Sequence, residues 1–79
     1  VQPKAVIIRM RYVPLIDATG FQSLKEIINT FKAQGITVFI SGAREELEKD
    51  FEKYNLYGHI DREFVTKDIS VAMDRARKL

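Results

Sequence analysis

The chain has 79 residues, of which 46% are hydrophobic, and a formal net charge of +2 at pH 7. This length corresponds to one small domain, and so small a charge, without a basic cluster interleaved with aromatics, argues against a nucleic-acid partner. There is no cysteine, and His59 is the single histidine, so we expect no disulfide, no metal and no cofactor. No apolar run reaches the roughly 18 residues of a membrane span, and we expect no direct insertion of this chain into a membrane.

The first predicted element is a buried strand that follows an entry loop at residues 1–4. The run Ala5-Val6-Ile7-Ile8 is continuously apolar, which is typical of a strand covered on both faces in a parallel sheet. Pro14 then marks a connection, because it cannot donate to a strand ladder. Within this connection we expect Leu15 and Ile16 to tuck under the end of the sheet.

The connection ends in a turn that carries a carboxylate, a hydroxyl and a glycine, namely Asp17-Ala18-Thr19-Gly20. Thr19 followed by Gln22 fits the S/T-x-x-E/Q capping box, so we expect Thr19 to cap a helix that begins near Gly20. A helix N-terminus also favours anions, which makes this hydroxyl a candidate phosphorylation site. Two interpretations stay open: the turn only caps and braces the helix, or it is a functional surface.

The first helix is predicted from about Gly20 to Gln34, with Gly35 as the residue after its C-cap. Its apolar stripe has helical period and consists of Phe21, Leu24, Ile27, Ile28 and Phe31. A second buried strand is predicted at residues 36–40. The two strands should therefore be parallel neighbours in a right-handed βαβ unit.

The second strand ends in Ser41 and Gly42. Ligands of open α/β sheets bind at the carboxyl ends of the strands, so these two residues are candidates for a ligand-proximal turn. Most turns of this composition are only turns, and both interpretations stay open.

The rest of the chain predicts three further elements. A charged helix runs from Arg44 to about Tyr54, and a short edge strand follows at Arg62 to Val65. Asp68 is a favourable N-cap for a last helix that ends near Lys78. The apolar stripe of that helix consists of Ile69, Ala72, Met73, Ala76 and Leu79.

The chain contains no Ser/His/Asp arrangement, HExxH motif, phosphate-binding glycine loop or GxGxxG motif. Asp17 could act as a general base, but no other residue forms a catalytic set with it. We therefore do not expect an enzyme.

The order of these motifs resembles a STAS domain. The resemblance rests on the segment from Val13 to Gly20, a helix containing Leu24, and Gln34-Gly35-Ile36 at the start of a strand. The STAS family includes bacterial anti-sigma factor antagonists and the cytoplasmic C-terminal domains of SulP anion transporters, the sulfate permeases. The resemblance covers nearly the whole chain, through the last helix.

Within that family the chain is more similar to the SulP branch. The antagonists more often have an acidic residue where Arg9 stands and a serine where Ala18 stands. The turn Ser41-Gly42-Ala43-Arg44 is also similar to the SulP pattern.

The resemblance implies an α/β STAS fold, with a mainly parallel or mixed sheet and three helices. STAS domains usually begin with two further strands before the strand at Ala5. We therefore interpret residues 1–79 as a STAS domain that is truncated at its N-terminal side.

The implied function is a regulatory and interaction domain of a SulP-family sulfate or anion transporter, at the cytoplasmic face of the inner (plasma) membrane. The implied partners are the transmembrane domain of the same transporter and a cytoplasmic regulatory protein or second STAS domain. The docking turn would be Asp17, Ala18, Thr19 and Gly20. The alternative is a free anti-sigma factor antagonist that is switched by phosphorylation at Thr19.

Overall fold

The computed structural model describes residues 3–79. The predicted entry loop therefore lies partly outside the described residues. The elements in chain order are β1 (Ala5–Arg9), α1 (Ala18–Ala33), β2 (Thr37–Ser41), α2 (Glu45–Lys53), β3 (Val65–Thr66) and α3 (Ile69–Arg77). Two short 3-10 turns, Leu56–Gly58 and Arg62–Phe64, lie between α2 and β3.

The three strands form one parallel sheet in the order β1-β2-β3. Arg9 is the register partner of Ser41, and Ser41 is in turn the partner of Thr66. Because the strands run in the same direction, their carboxyl ends lie at one edge of the sheet. The predicted parallel pairing of the first two strands is confirmed, as is the α/β class with three helices.

One face of the sheet is covered by α1 and α2. Val38 and Ile40 of β2 belong to the main hydrophobic core together with Phe21 of α1 and Phe51 of α2. The Phe21 ring lies edge-on to Phe51 at 6.0 Å and stacks on Tyr54 at 4.8 Å. These aromatic contacts tie the two helices together over β2.

The opposite face is covered by α3. Phe39 lies between Val38 and Ile40, so strand alternation directs its side chain away from the main core. Its ring centroid lies 5.3 Å from that of Phe64 and 5.8 Å from the guanidinium carbon of Arg75 in α3. The sheet is therefore the middle layer of three.

The predicted stripe of α3 is only partly buried. Ala72 is fully buried, whereas Met73 and Leu79 are 41% and 50% exposed. A small residue at the contact point lets the helix approach the sheet, and Phe39 and Phe64 fill the space beside it.

Helix α1 begins and ends slightly earlier than predicted, and its end has the expected form. Gly35 has φ +76°, and its N–H donates to the carbonyl of Lys32 at 3.0 Å, while Ile36 N–H donates to Phe31 at 3.0 Å. These two bonds are the Schellman arrangement. Backbone hydrogen bonds therefore cap the C-terminus of the helix, as the position of Gly35 predicted.

The predicted edge strand at residues 62–65 is wrong in its position. Arg62–Phe64 form a 3-10 turn, in which Phe64 N–H donates to the Asp61 carbonyl at 3.0 Å, and only Val65–Thr66 pair with β2. The tight turn places the Phe64 ring on Phe39 before the chain joins the sheet. The contact between Phe64 and Phe39 therefore accompanies a 3-10 turn where the sequence predicted an extended strand.

Candidate functional site

The turn before α1 is held by Asp17 and not, as the capping-box pattern predicted, by Thr19. The Asp17 carboxylate oxygen Oδ1 accepts a hydrogen bond from Gly20 N–H at 2.7 Å, and its carbonyl accepts from Phe21 N–H at 2.9 Å. A carboxylate in this position satisfies a free N–H group and faces the positive end of the helix dipole. Thr19 is consequently the second residue of the helix.

This correction changes what Thr19 can do. Thr19 is exposed, as is Ala18. The cap is complete without the Thr19 hydroxyl. A change in the Thr19 side chain therefore leaves the hydrogen bond that caps the helix in place. The remaining member of the turn, Gly20, is half-buried.

Gly20 is required by close packing. A Cβ atom at this position would lie 2.6 Å from Cγ2 of Ile16 and 3.2 Å from Oδ1 of Asp17. A side chain would have to displace either the residue that anchors the connection to the core or the cap itself. The turn is thus tightly packed around Gly20.

The connection beside the turn exposes two large apolar side chains. Tyr12 is 80% exposed and Leu15 is 68% exposed. The expectation that Leu15 tucks under the sheet is wrong, because Val13 and Ile16 pack against the core and Leu15 does not. An open groove next to the turn is lined by Leu15, Ile16, Asp17 and Asp50 of α2.

Ser41 and Gly42 lie where the sequence placed them, at the carboxyl end of β2. Ser41 is the last residue of the strand and is 1% exposed. Gly42 has φ +75°, and its N–H donates to the carbonyl of Thr66 at 3.0 Å. The position of the turn is confirmed, while its role toward a ligand stays a prediction.

A cleft opens beside this turn. It is lined by Arg9, Arg11, Ser41, Gly42, Lys67, Asp68 and Ile69. Its three cationic residues were not predicted from the sequence as site residues. The signal was available, because Arg9 and Lys67 stand at or directly after the ends of β1 and β3, and parallel strand ends meet at one edge.

Asp68 caps α3, as predicted. Its Oδ1 accepts hydrogen bonds from the backbone N–H and the hydroxyl of Ser70, both at 2.8 Å. These two bonds, the backbone one first, lower the pKa of the Asp68 carboxyl below its ordinary value of 3.8. The residue is therefore ionised at neutral pH, and one of its oxygens is committed to the helix.

The described part of the chain contains no group of three His, Cys, Asp or Glu side chains that could hold a metal ion. His59 lies in the segment after α2, where its Nδ1 is 3.2 Å from Oδ1 of Asn29 and its carbonyl accepts from Lys32 Nζ at 2.8 Å. Both contacts fasten this segment to α1. Within residues 3–79, the helices are all too short or too polar to span a membrane.

Comparison with known proteins gives a consistent picture. The family model of the STAS domain matches residues 1–71. The structure is similar to the SulP transporter STAS domain from Vibrio cholerae, with a TM-score of 0.92 and 31% sequence identity, over 99% of this chain and 61% of that one. It is also similar to a sulfate transporter family protein from Wolinella succinogenes, with a TM-score of 0.91 and 32% identity, over 96% of this chain and 62% of that one.

A third solved structure, SLC26A9, shares the fold at 21% identity, with a TM-score of 0.90 over 95% of this chain and 12% of that one. The chain thus spans less than two thirds of each of these solved chains. A comparison with curated protein sequences gives no significant match.

Proposed function

Because the chain belongs to the STAS domain family, we propose that it is the regulatory and interaction domain of a SulP-family sulfate or anion transporter. The observation that carries this proposal is the match to a SulP transporter STAS domain over 99% of the chain. In this proposal the domain is non-catalytic, lies at the cytoplasmic face of the inner membrane and controls transport or assembly through protein contacts.

The proposed docking surface is the turn Asp17–Gly20 together with the exposed side chains of Tyr12 and Leu15. Burying a large apolar side chain on binding contributes favourably, and few such side chains are needed when they lie on a rigid support. The support here is the N-terminus of α1, which the Asp17 cap and the Gly20–Ile16 contact hold in place. The proposed partner is the transmembrane domain of the same transporter.

Thr19 is the proposed control point of this surface. A phosphate on its hydroxyl would gain about 0.3–1 kcal/mol from the helix dipole, so the fold should tolerate it. The same phosphate brings nearly two negative charges to a surface that already carries Asp17 and Asp50. A partner packed against the neutral hydroxyl would have to desolvate or repel that charge.

The test compares the parent chain with Thr19→Asp, Thr19→Ala and Leu15→Ser in binding to the transmembrane domain and in melting temperature. We expect Thr19→Asp and Leu15→Ser to weaken binding with little change in melting temperature, and Thr19→Ala to bind like the parent. Leu79→Ser is the matched control, because Leu79 is also an exposed leucine, at 50%, and lies two residues after the end of α3. Parent-like binding by both Thr19→Asp and Leu15→Ser would refute the docking surface.

The encoding gene separates the transporter from the free antagonist. The transporter proposal requires several apolar segments of roughly 20 residues each upstream of the domain. A free antagonist would lack them, would bind an anti-sigma kinase, and would be phosphorylated by that kinase at Thr19. The presence or absence of these upstream segments can be read without assuming anything about the docking turn.

A further inference from the structure

The cleft at the carboxyl edge of the sheet collects three cationic side chains around a buried serine. We call it the basic cleft and define it by Arg9, Arg11, Ser41, Gly42, Lys67, Asp68 and Ile69. We propose that the basic cleft binds a small dianionic oxyanion: sulfate, inorganic phosphate or the phosphate of a monoester. This proposal does not depend on attachment to a transporter.

The parallel register brings the cleft together. Arg9 and Ser41 are register partners, and such partners stand on the same face of a sheet. Ser41 is also the partner of Thr66, the residue directly before Lys67. The side chains therefore converge because three strands end side by side, although they are far apart in the chain.

Backbone contacts place Arg11 beside Ser41 and Gly42. Met10 N–H donates to the Ser41 carbonyl at 2.8 Å, which keeps the chain against β2 after β1 has ended. A Cβ atom on Gly42 would lie 3.3 Å from the N, Cα and Cβ atoms of Arg11. Glycine at this position, with its positive φ, thus permits the close approach that holds Arg11 over the turn.

The charges of the cleft are not balanced within the described chain. The ion pairs of residues 3–79 use Arg62, Arg75 and Lys78, and none of them uses a cation of the cleft. The guanidinium carbon of Arg11 lies 5.4 Å from the centroid of the Tyr12 ring, which carries no charge. The one carboxylate in the lining, Asp68, is ionised and offsets only one of the three cationic charges. The cleft therefore presents net positive charge to solvent.

The size and chemistry of the cleft define the ligand class. Its volume is about 290 Å³, which is at the low end of ligand pockets and suits a small ion with its remaining waters. Two guanidinium groups match the geometry of sulfate and phosphate oxygens. The N-terminus of α3 also lies at the cleft, but the Asp68 carboxylate already caps it. A ligand with two negative charges balances the excess positive charge of the cleft better than a ligand with one.

The first test is an NMR titration of the 79-residue chain with sodium sulfate and sodium phosphate, with sodium chloride as the comparison at matched ionic strength. We expect saturable shifts of the Gly42, Lys67 and Ile69 amides with the two dianions and not with chloride. Arg11→Gln and Lys67→Gln should each weaken the affinity about tenfold, the effect of losing one charge-assisted hydrogen bond.

The matched control is Lys49→Gln, which removes an exposed cation from α2. α2 lies on the other face of the sheet, so the affinity should stay at the parent value. All the substituted side chains are exposed, so we expect each variant to fold. The dispersion of the amide signals verifies this. Shifts that do not saturate, or equal affinities for Arg11→Gln and Lys49→Gln, would overturn the proposal.

A second arm identifies the source of the oxyanion. Sedimentation with phosphatidylcholine vesicles, with and without phosphatidic acid, tests a lipid phosphate monoester. Recruitment only by phosphatidic acid, lost in Arg11→Gln, supports the cleft with a lipid headgroup as its ligand. Ion binding without recruitment supports the cleft with a free oxyanion, and the absence of both overturns it.

Discussion

Asp17 and Thr19 stand two residues apart and have different tasks. Asp17→Ala removes the carboxylate that accepts from Gly20 N–H and should cost about 1 kcal/mol of the free energy of unfolding. Thr19→Ala should change it little, because Thr19 is an exposed residue inside the helix and alanine has a helix propensity better by at most about 0.7 kcal/mol. Urea unfolding of the two variants measures the difference.

Asp17→Asn is the control for the cap, since asparagine retains an acceptor oxygen of similar length and caps about as well as aspartate. It should unfold close to the parent. A loss in Thr19→Ala as large as that in Asp17→Ala would contradict the assignment of the cap.

The sequence predicted that a polar turn starts α1, but it assigned the cap to the wrong residue. Asp17 and Thr19 both belong to the residue types that cap helices, and each has a suitable N–H three positions ahead. Ile16, the residue directly before the cap, packs against the core, and we infer that this contact sets where the backbone becomes helical. Periodicity carries no information about that contact.

At the scale of the elements, the buried side of α1 is the feature on which the fold depends most. Leu24 is 7% exposed, while Ile27 on the same helix is 47% exposed. Leu24→Ala should cost about 2–5 kcal/mol, a transfer term plus a cavity term. A small domain has only about 5–15 kcal/mol in total, so the unfolding midpoint should fall steeply.

Ile27→Ala is the matched control, because it removes a similar aliphatic side chain from the same helix at a half-exposed position. Its midpoint should change much less than that of Leu24→Ala. Far-UV circular dichroism checks that both variants are helical before unfolding. Equal losses would mean that Leu24 is not a core residue.

The helices were predictable to within two residues because their apolar residues repeat with helical period. β3 was not, because the 3-10 turn Arg62–Phe64 has no such period and owes its form to the contact between Phe64 and Phe39. The exposure of Met73 was missed for a related reason. Which side of α3 meets the sheet depends on Phe39 and Phe64, which come from other parts of the chain.

At the scale of the whole molecule, two polar regions share one edge of the sheet. The turn Asp17–Gly20 precedes α1 and the basic cleft precedes α3, and both follow strands whose carboxyl ends meet at this edge. The sequence predicted Ser41 and Gly42 at this edge and missed the cations around them. The total charge of +2 gives no sign of these cations. They come together only when the strands are paired.

The outer side of β1 is an open edge of the sheet. Among residues 3–79, β1 has a neighbour on one side only. Met10 N–H and the Lys4 carbonyl bond to β2, so strand alternation directs the N–H and carbonyl groups of Ala5, Ile7 and Arg9 outward. Such unpaired groups are a template for another strand.

We propose that a further strand pairs with this edge in a longer chain, as the STAS resemblance implies. The 79-residue chain should then associate with itself as its concentration rises, because its own edges can pair. A chain that carries upstream residues should stay monomeric to higher concentration and melt at a higher temperature. Sedimentation velocity and thermal unfolding of the two chains measure both effects.

Ala5→Pro tests whether association uses the β1 edge. Proline removes an N–H that points outward and leaves the hydrogen bonds to β2 in place, so self-association should weaken. Ala5→Ser changes the same side chain but keeps the N–H, and should associate like the parent. Equal monomer fractions and equal melting temperatures for the short and long chains would show that the edge needs no further strand, and parent-like association of Ala5→Pro would place the contact elsewhere.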